Sequence, residues 1–224
     1  MEVEYQGQAH QDELVLKLLK FKRNGYFLEI GSNHPKNINN TFVLDKQFGW
    51  KGLMVELETD WEQLYKTERT CHYLIQDATR IDYLDFFHKN KYPLRMDYLQ
   101  IDLHVSNRST LNVLELLDET VFKYYTFKVI TFEHDIYCGN FFDTREKSRE
   151  IFEKNGYIMI FGDVKNGGNP YEDWYVHCSY PDKEYIKKVK SDVSMEWSDI
   201  MKILDKHLIL NEYDQYRIKN NYIG

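Results

Sequence analysis

Cysteine, proline, net positive charge and long apolar runs are all scarce in this chain of 224 residues, and each shortage removes a class of protein. The three cysteines, Cys71, Cys138 and Cys178, form no CxxC pair and leave one over in any pairing. That spacing argues against a disulfide framework and a cysteine-built zinc site, and it suits a reducing, cytoplasmic compartment. No apolar stretch approaches the ~18 residues of a membrane span, and no apolar h-region follows the N-terminus, so neither span nor signal peptide is expected. Lysine and arginine number 29 against 36 aspartates and glutamates, for a net charge of −7 and a pI near 5.6. Phosphate-backbone binding needs a basic face, so nucleic acid is not expected as a partner. The lysines of 183–190 are interleaved with acids and read as a solvated helix face. Two phosphate-binding signatures are also missing, GxGxxG and GxxxxGK[ST]. Gly31 is followed by Ser32, Asn33, His34 and Pro35, without the later glycines and helix amides that a pyrophosphate requires.

What is present is an ordinary globular balance, 42% hydrophobic and 29% charged, with aromatics at 16%. The 18 tyrosines and 13 phenylalanines are mostly core material by the usual behaviour of aromatic side chains. The length suits one domain, with a core at about 8–180 and a helical tail at about 191–224, where Trp197, Ile200, Ile203 and Leu204 share a face.

Strand-like and helix-like segments alternate. Strands are expected at 25–30, 52–57, 71–76, 98–103, 127–133, 157–161 and 174–178, the last two separated by a loop at 165–169. Helices are expected at 12–21, 41–48, 60–69, 82–88, 109–117 and 144–155, with Asp12 and Asp60 as N-caps. This alternation predicts an α/β fold, a mostly parallel, seven-stranded, Rossmann-like sheet with helices on both faces, whose ligands bind at the carboxyl ends of the strands.

Five of those strand ends deliver polar residues to that one edge. They are Glu29 with Gly31 and Asn33, then Glu56, then Asp77, then Asp102 with His104, and last Glu133 with His134 and Asp135. A strand that stops at glycine lets backbone approach a ligand, and an acid at the tip of the next strand is placed for a ribose diol. With phosphate signatures absent, a nucleoside without phosphates fits best. S-adenosylmethionine is one, and its sulfonium and ammonium suit an acidic pocket.

The same residues carry a family resemblance. Gln11-Asp12, the run from Gly25 to Asn33 (GYFLEIGSN), Asn40-Thr41, the run from Phe48 to Glu56 (FGWKGLMVE), the run from Asp97 to Asp102 (DYLQID) and the run from Ile130 to His134 (ITFEH) resemble, in that order, the FkbM-type methyltransferases. The resemblance covers roughly Gln8 to Trp174. It implies the class I methyltransferase fold, S-adenosylmethionine as cofactor, and O-methylation of a sugar or polyketide hydroxyl. The chain departs from the family after the fourth strand, where Asp102-Leu103-His104-Val105-Ser106 lacks the usual DVxGxE glycine and acid.

Together these readings assign Glu56 to the ribose, Asp77-Ala78 to the adenine, and Glu29, Gly31, Asn33, Gln11 and Asp102 to the rest of the cofactor. An alcohol acceptor needs a base or a metal. His104 and His134 are the available bases beside Asp102, and Asp102 with Glu133 is the candidate pair for Mg²⁺ or Mn²⁺. The acceptor is expected to be a carbohydrate or another small molecule bearing a hydroxyl or amine, and Tyr171, Trp174 and Tyr175 would suit a sugar face. Two competing readings are a redox or nucleotide-sugar-modifying Rossmann enzyme and a non-catalytic module that binds a glycan or a partner on the same scaffold.

Overall fold

A computed structural model describes residues 3–210 and residue 215. Its strands are β1 (Tyr26–Ile30), β2 (Lys51–Glu56), β3 (His72–Ile75), β4 (Arg95–Ile101), β5 (Thr126–Glu133), β6 (Tyr157–Asn166) and β7 (Asn169–His177). Its helices are α1 (Gln11–Leu18), α2 (Phe42–Phe48), α3 (Glu62–Glu68), α4 (Tyr83–Lys89), α5 (Ser109–Glu119), α6 (Phe142–Lys154), α7 (Lys183–Val189) and α8 (Trp197–His207). One seven-stranded sheet runs β3-β2-β1-β4-β5-β7-β6. The first five of these strands pair in parallel, while β7 runs antiparallel to both β5 and β6. The α/β sheet expected from the alternation is therefore what the chain forms.

Strand pleating sends alternate residues to opposite faces, and two hydrophobic clusters result. Phe27, Met54, Tyr98, Val129 and Trp174 meet α1, α2, α7 and α8 on one face. Leu28, Val55, Leu99, Ile130 and Tyr175 meet α4, α5 and α6 on the other. The strand order reverses between β1 and β4, and there the carboxyl ends of neighbouring strands lead away in opposite directions to open a crevice.

Three local expectations differ from the structure. Asp12 does not cap α1; the N-cap is His10, and the buried Asp12 carboxylate instead accepts from the backbone N–H of Gln6 at 2.7 Å and of Glu13 at 3.0 Å. Asp60 lies inside a 3-10 turn, Thr59–Trp61, that precedes α3. The last two strands form one long hairpin, because Gly167 and Gly168 both take positive φ (61° and 87°) and close a two-residue turn where a five-residue loop was expected. The helical tail is present as α8, and its expected extension past 210 lies outside the described residues apart from residue 215.

Candidate active site

The crevice at the β1/β4 reversal is a cleft of about 390 Å³ lined at one end by Gly31, Asn33, Glu56, Asp77 and Ala78, and at its far end by Asp102, His104, Glu133 and Asp135. A roomier hollow of about 490 Å³ opens between Tyr26, Trp50 and Tyr92, at the amino ends of β1–β3. Open α/β sheets bind ligands at the carboxyl edge, so the smaller cleft is the candidate.

Gly31 makes the cleft possible. Its φ of 84° is a left-handed conformation, and a Cβ placed there would lie 1.6 Å from the Asp102 carbonyl oxygen. The Asp102 N–H in turn donates to the Ile30 carbonyl at 2.9 Å. Only glycine lets the ends of β1 and β4 close up in this way. Asn33 follows, also left-handed at φ 46°, and its peptide is clamped on both sides. Its N–H donates to Glu56 Oε2 at 2.5 Å, and its carbonyl accepts from the Tyr65 hydroxyl at 2.6 Å.

Glu56 ends β2 with its carboxylate already oriented. Besides Asn33, the N–H groups of Leu57 (2.8 Å) and Glu58 (3.0 Å) donate to its Oε1. Asp77 is both cleft wall and cap. Its Oδ1 accepts from the N–H and hydroxyl of Thr79 at the start of a 3-10 turn, which holds its carboxyl below the usual range, and its Oδ2 lies 3.3 Å from Arg80. Ala78 is buried beside it.

Two residues assigned to the cofactor sit behind the cleft rather than on it. Glu29 is buried on the α1 face, accepting from Thr41 Oγ1 at 2.7 Å and Asn39 Nδ2 at 3.3 Å. Burial pushes its carboxyl up to about 7 against the opposing pull of Arg69. Arg69 is itself buried, bound to Asp45 at 2.9 Å and to Thr41 Oγ1 at 2.7 Å, so this network braces the loop after β1. Gln11 is buried too, its Nε2 donating to the Tyr171 hydroxyl (3.1 Å) and Glu172 Oε1 (3.0 Å). Its role here is to pin α1 to β7.

At the far end, burial raises Asp102 to about 6 and Glu133 well above the usual range, and the neighbouring Asp102 charge adds to the rise at Glu133. Register places Asp102 beside Glu133, and two adjacent carboxylates cannot both ionise cheaply. His104 stands exposed at the cleft wall beside Asp102.

His134 does not join it. The pleat that points Glu133 toward the α1 face sends the next residue the other way. The imidazole of His134 is fully enclosed, 3.5 Å from Asp163 and 3.4 Å from Asp173. These three form the only convergent group of possible metal ligands among the described residues. Their carboxylates are already taken by α6. Arg149 binds Asp173 at 2.7 Å and Asp163 at 2.9 Å, and Arg145 binds Asp163 at 3.0 Å. Although burial opposes it, His134 and Arg149 hold the Asp173 carboxyl far below its usual range. The group is an ion-pair cluster that ties α6 to the hairpin. The metal expected on Asp102 and Glu133 likewise finds no support in the geometry, since no group of three ligand atoms converges there among the described residues.

The sequence reading passed over Glu58, Asn107 and Ser109 on the cleft wall, and Tyr65 and Glu172 behind it, while Tyr171, Trp174 and Tyr175, expected to suit a sugar face, are buried in the core. Glu172 had no visible signal, because the strand containing it was expected to begin only at Trp174.

No family model matches the chain, and no curated protein matches it. Among solved structures it is similar to precorrin-6y C5,15-methyltransferase from Geobacter metallireducens (14% identity over 74% of this chain and 86% of that one, TM-score 0.48). It is also similar to a protein in the NADB-Rossmann superfamily from Streptococcus agalactiae (9%, 93% and 99%, TM-score 0.48) and to the N-methyltransferase NodS from Bradyrhizobium japonicum (11%, 75% and 94%, TM-score 0.47). The likeness to FkbM-type methyltransferases is carried by the motifs between Gln11 and His134.

Proposed function

We propose that this chain is an S-adenosylmethionine-dependent methyltransferase acting on a small-molecule acceptor. The observation that carries the reading is the cleft at the β1/β4 reversal. Gly31 admits close backbone approach there, and a pre-oriented Glu56 stands at the tip of the next strand without any glycine-rich phosphate loop. Glu56 would accept from the ribose hydroxyls, Asp77 and Ala78 would flank the adenine, and Asn33 with the end of β1 would face the methionine portion. When bound, the cofactor supplies an electrophilic methyl group on a sulfonium.

What the chain adds is position and proton handling. Holding a nucleophile against that methyl supplies much of the rate of an in-line displacement. His104 and the adjacent carboxyls of Asp102 and Glu133 lie at the far end of the cleft, where a nucleophile must lose its proton. The sugar hydroxyl implied by the family resemblance is one candidate nucleophile and an amine is another.

The test is incubation of the purified protein with methyl-labelled S-adenosylmethionine and a panel of free sugars, nucleotide-linked sugars and amines, read by mass spectrometry. Gain of one labelled methyl group on a panel member supports the reading. Absence of transfer together with absence of S-adenosylhomocysteine binding rejects it.

A further inference from the structure

Tyr65 stands behind Glu56 without lining the cleft. It is the one buried residue of α3, 1% exposed, and its ring lies 5.4 Å from that of Tyr73 in the core on the α1 face. A phenylalanine would fill the same volume, so packing does not account for the hydroxyl. That hydroxyl donates to the Asn33 carbonyl at 2.6 Å. Burial pushes the phenol up from its usual range, so it stays protonated and remains a donor.

The N–H and the carbonyl of Asn33 flank a single Cα. With Glu56 Oε2 on the N–H at 2.5 Å and Tyr65 on the carbonyl, the backbone of that residue is held from both sides at φ 46°. Asparagine can adopt this left-handed conformation but does not prefer it, so the two bonds supply the hold. Glu56 is oriented by the same arrangement. Its Oε1 accepts from two N–H groups, those of Leu57 and Glu58, whereas its Oε2 accepts from the N–H of Asn33. A carboxylate oxygen has about two acceptor sites. Oε2 is therefore the oxygen with room for a ligand hydroxyl, and Asn33 sets its direction. A second contact braces the same loop. His34, next after Asn33, meets Trp61 edge-on at 4.8 Å, so residues 61 and 65 grip the loop after β1 at two consecutive positions.

Resting on the methyl-transfer reading above, we propose that Tyr65 is a positioning residue of the cofactor site. Its hydroxyl holds the Asn33 backbone left-handed, the Asn33 N–H holds Oε2 of Glu56, and Oε2 receives a ribose hydroxyl. Tyr65 itself touches neither cofactor nor acceptor. It acts on affinity through Asn33 and Glu56.

The test removes the hydroxyl alone. Tyr65→Phe keeps the ring, and the carbonyl of the exposed Asn33 can turn to water, so the melting temperature should fall by no more than about 4 °C. Titration calorimetry with S-adenosylhomocysteine should show affinity about fivefold lower, the scale of one hydrogen bond. In ¹⁵N-labelled protein the amide proton of Asn33, carried downfield by its short bond to a carboxylate, should move upfield as that bond lengthens. In the Glu56→Ala background the same change should alter affinity by less than about twofold, because the carboxylate it positions is gone; equilibrium dialysis with labelled S-adenosylhomocysteine reads these weaker pairs. Three results would overturn the proposal while leaving methyl transfer standing. They are an affinity of Tyr65→Phe within about twofold of the unaltered chain, an Asn33 amide signal that does not move, and a fivefold loss that persists without Glu56. The last would mean that the hydroxyl acts through the fold at large. Failure of the unaltered chain to bind S-adenosylhomocysteine rejects the methyl-transfer reading, and the proposal with it.

Discussion

Replacing Glu56 by alanine should separate binding from folding. The carboxylate accepts from three backbone N–H groups, those of Asn33, Leu57 and Glu58, and all three bonds lie at the solvent-exposed cleft wall. Those donors turn to water when the side chain is removed, so the stability loss should be about 1 kcal/mol or less. Binding loses more. A carboxylate facing a ribose diol makes charge-assisted hydrogen bonds whose removal costs about 1.5–3 kcal/mol, or roughly 10- to 150-fold in affinity. Loss of the bond to Asn33 also loosens the left-handed residue at the end of β1. Glu56→Gln should do nearly as badly. If its oxygen keeps the Leu57 and Glu58 donors, its NH₂ group must face the Asn33 N–H, donor against donor. The assay is titration calorimetry with S-adenosylhomocysteine, with circular dichroism as the check on folding. Folded Glu56→Ala protein that binds within twofold of the unaltered chain would refute the assignment of the ribose to this residue.

Other outcomes follow from the same geometry. Gly31→Ala sets a Cβ against the Asp102 carbonyl at a positive φ and should destabilise the chain by about 3 kcal/mol or more. A thermal midpoint within 2 °C of the parent would contradict that close approach. His104→Ala should lower kcat by about 10²-fold with S-adenosylhomocysteine affinity intact. His134→Ala should lower the melting temperature and leave kcat of the folded enzyme within a few-fold, and the reverse pattern would place the base on the wrong histidine. A carboxyl with a raised folded pKa binds more protons folded than unfolded, so stability falls as pH climbs through that window. The windows run from 4.5 to about 8 for Glu172, from 4.5 to about 7 for Glu29, and from 3.8 to about 6 for Asp12 and Asp102. Asp173 and Asp77, held low, act oppositely and withdraw stability as pH falls through the acid range. Scanning calorimetry should therefore find a higher melting temperature near pH 5.5 than near pH 8.5, and Glu172→Gln should flatten that slope. A melting temperature that rises steadily to pH 8.5 would refute the sign.

The sheet and the residues that line its carboxyl edge were legible because both are written in local pattern. Apolar runs such as those before Gly31 and Glu56 mark buried parallel strands, and the residue after such a run falls at the ligand edge. What the pattern could not show is which face a residue takes once the strand ends. Glu133 and His134 are neighbours in sequence and point to opposite sides of the sheet, so the acid lines the cleft and the histidine joins the α6 ion pairs. Nor can local pattern show partners brought from far away. Gln11 looked like a ligand contact, and it meets Glu172 across 161 positions of chain. Glu172 reaches the carboxyl edge because the hairpin turns it back antiparallel to β5, a consequence of the Gly167-Gly168 turn that composition alone does not convey.

The central claim is that the β1/β4 cleft holds a nucleoside without phosphates. Titration of the unaltered chain with S-adenosylhomocysteine and, separately, with NAD⁺ and NADH tests it most directly, with heat of binding and thermal shift as readouts. One equivalent of S-adenosylhomocysteine should bind and raise the melting temperature, and neither dinucleotide should do so, because no glycine-rich loop is present to hold a pyrophosphate. Saturable binding of NAD⁺ or NADH, with none of S-adenosylhomocysteine, would contradict the account.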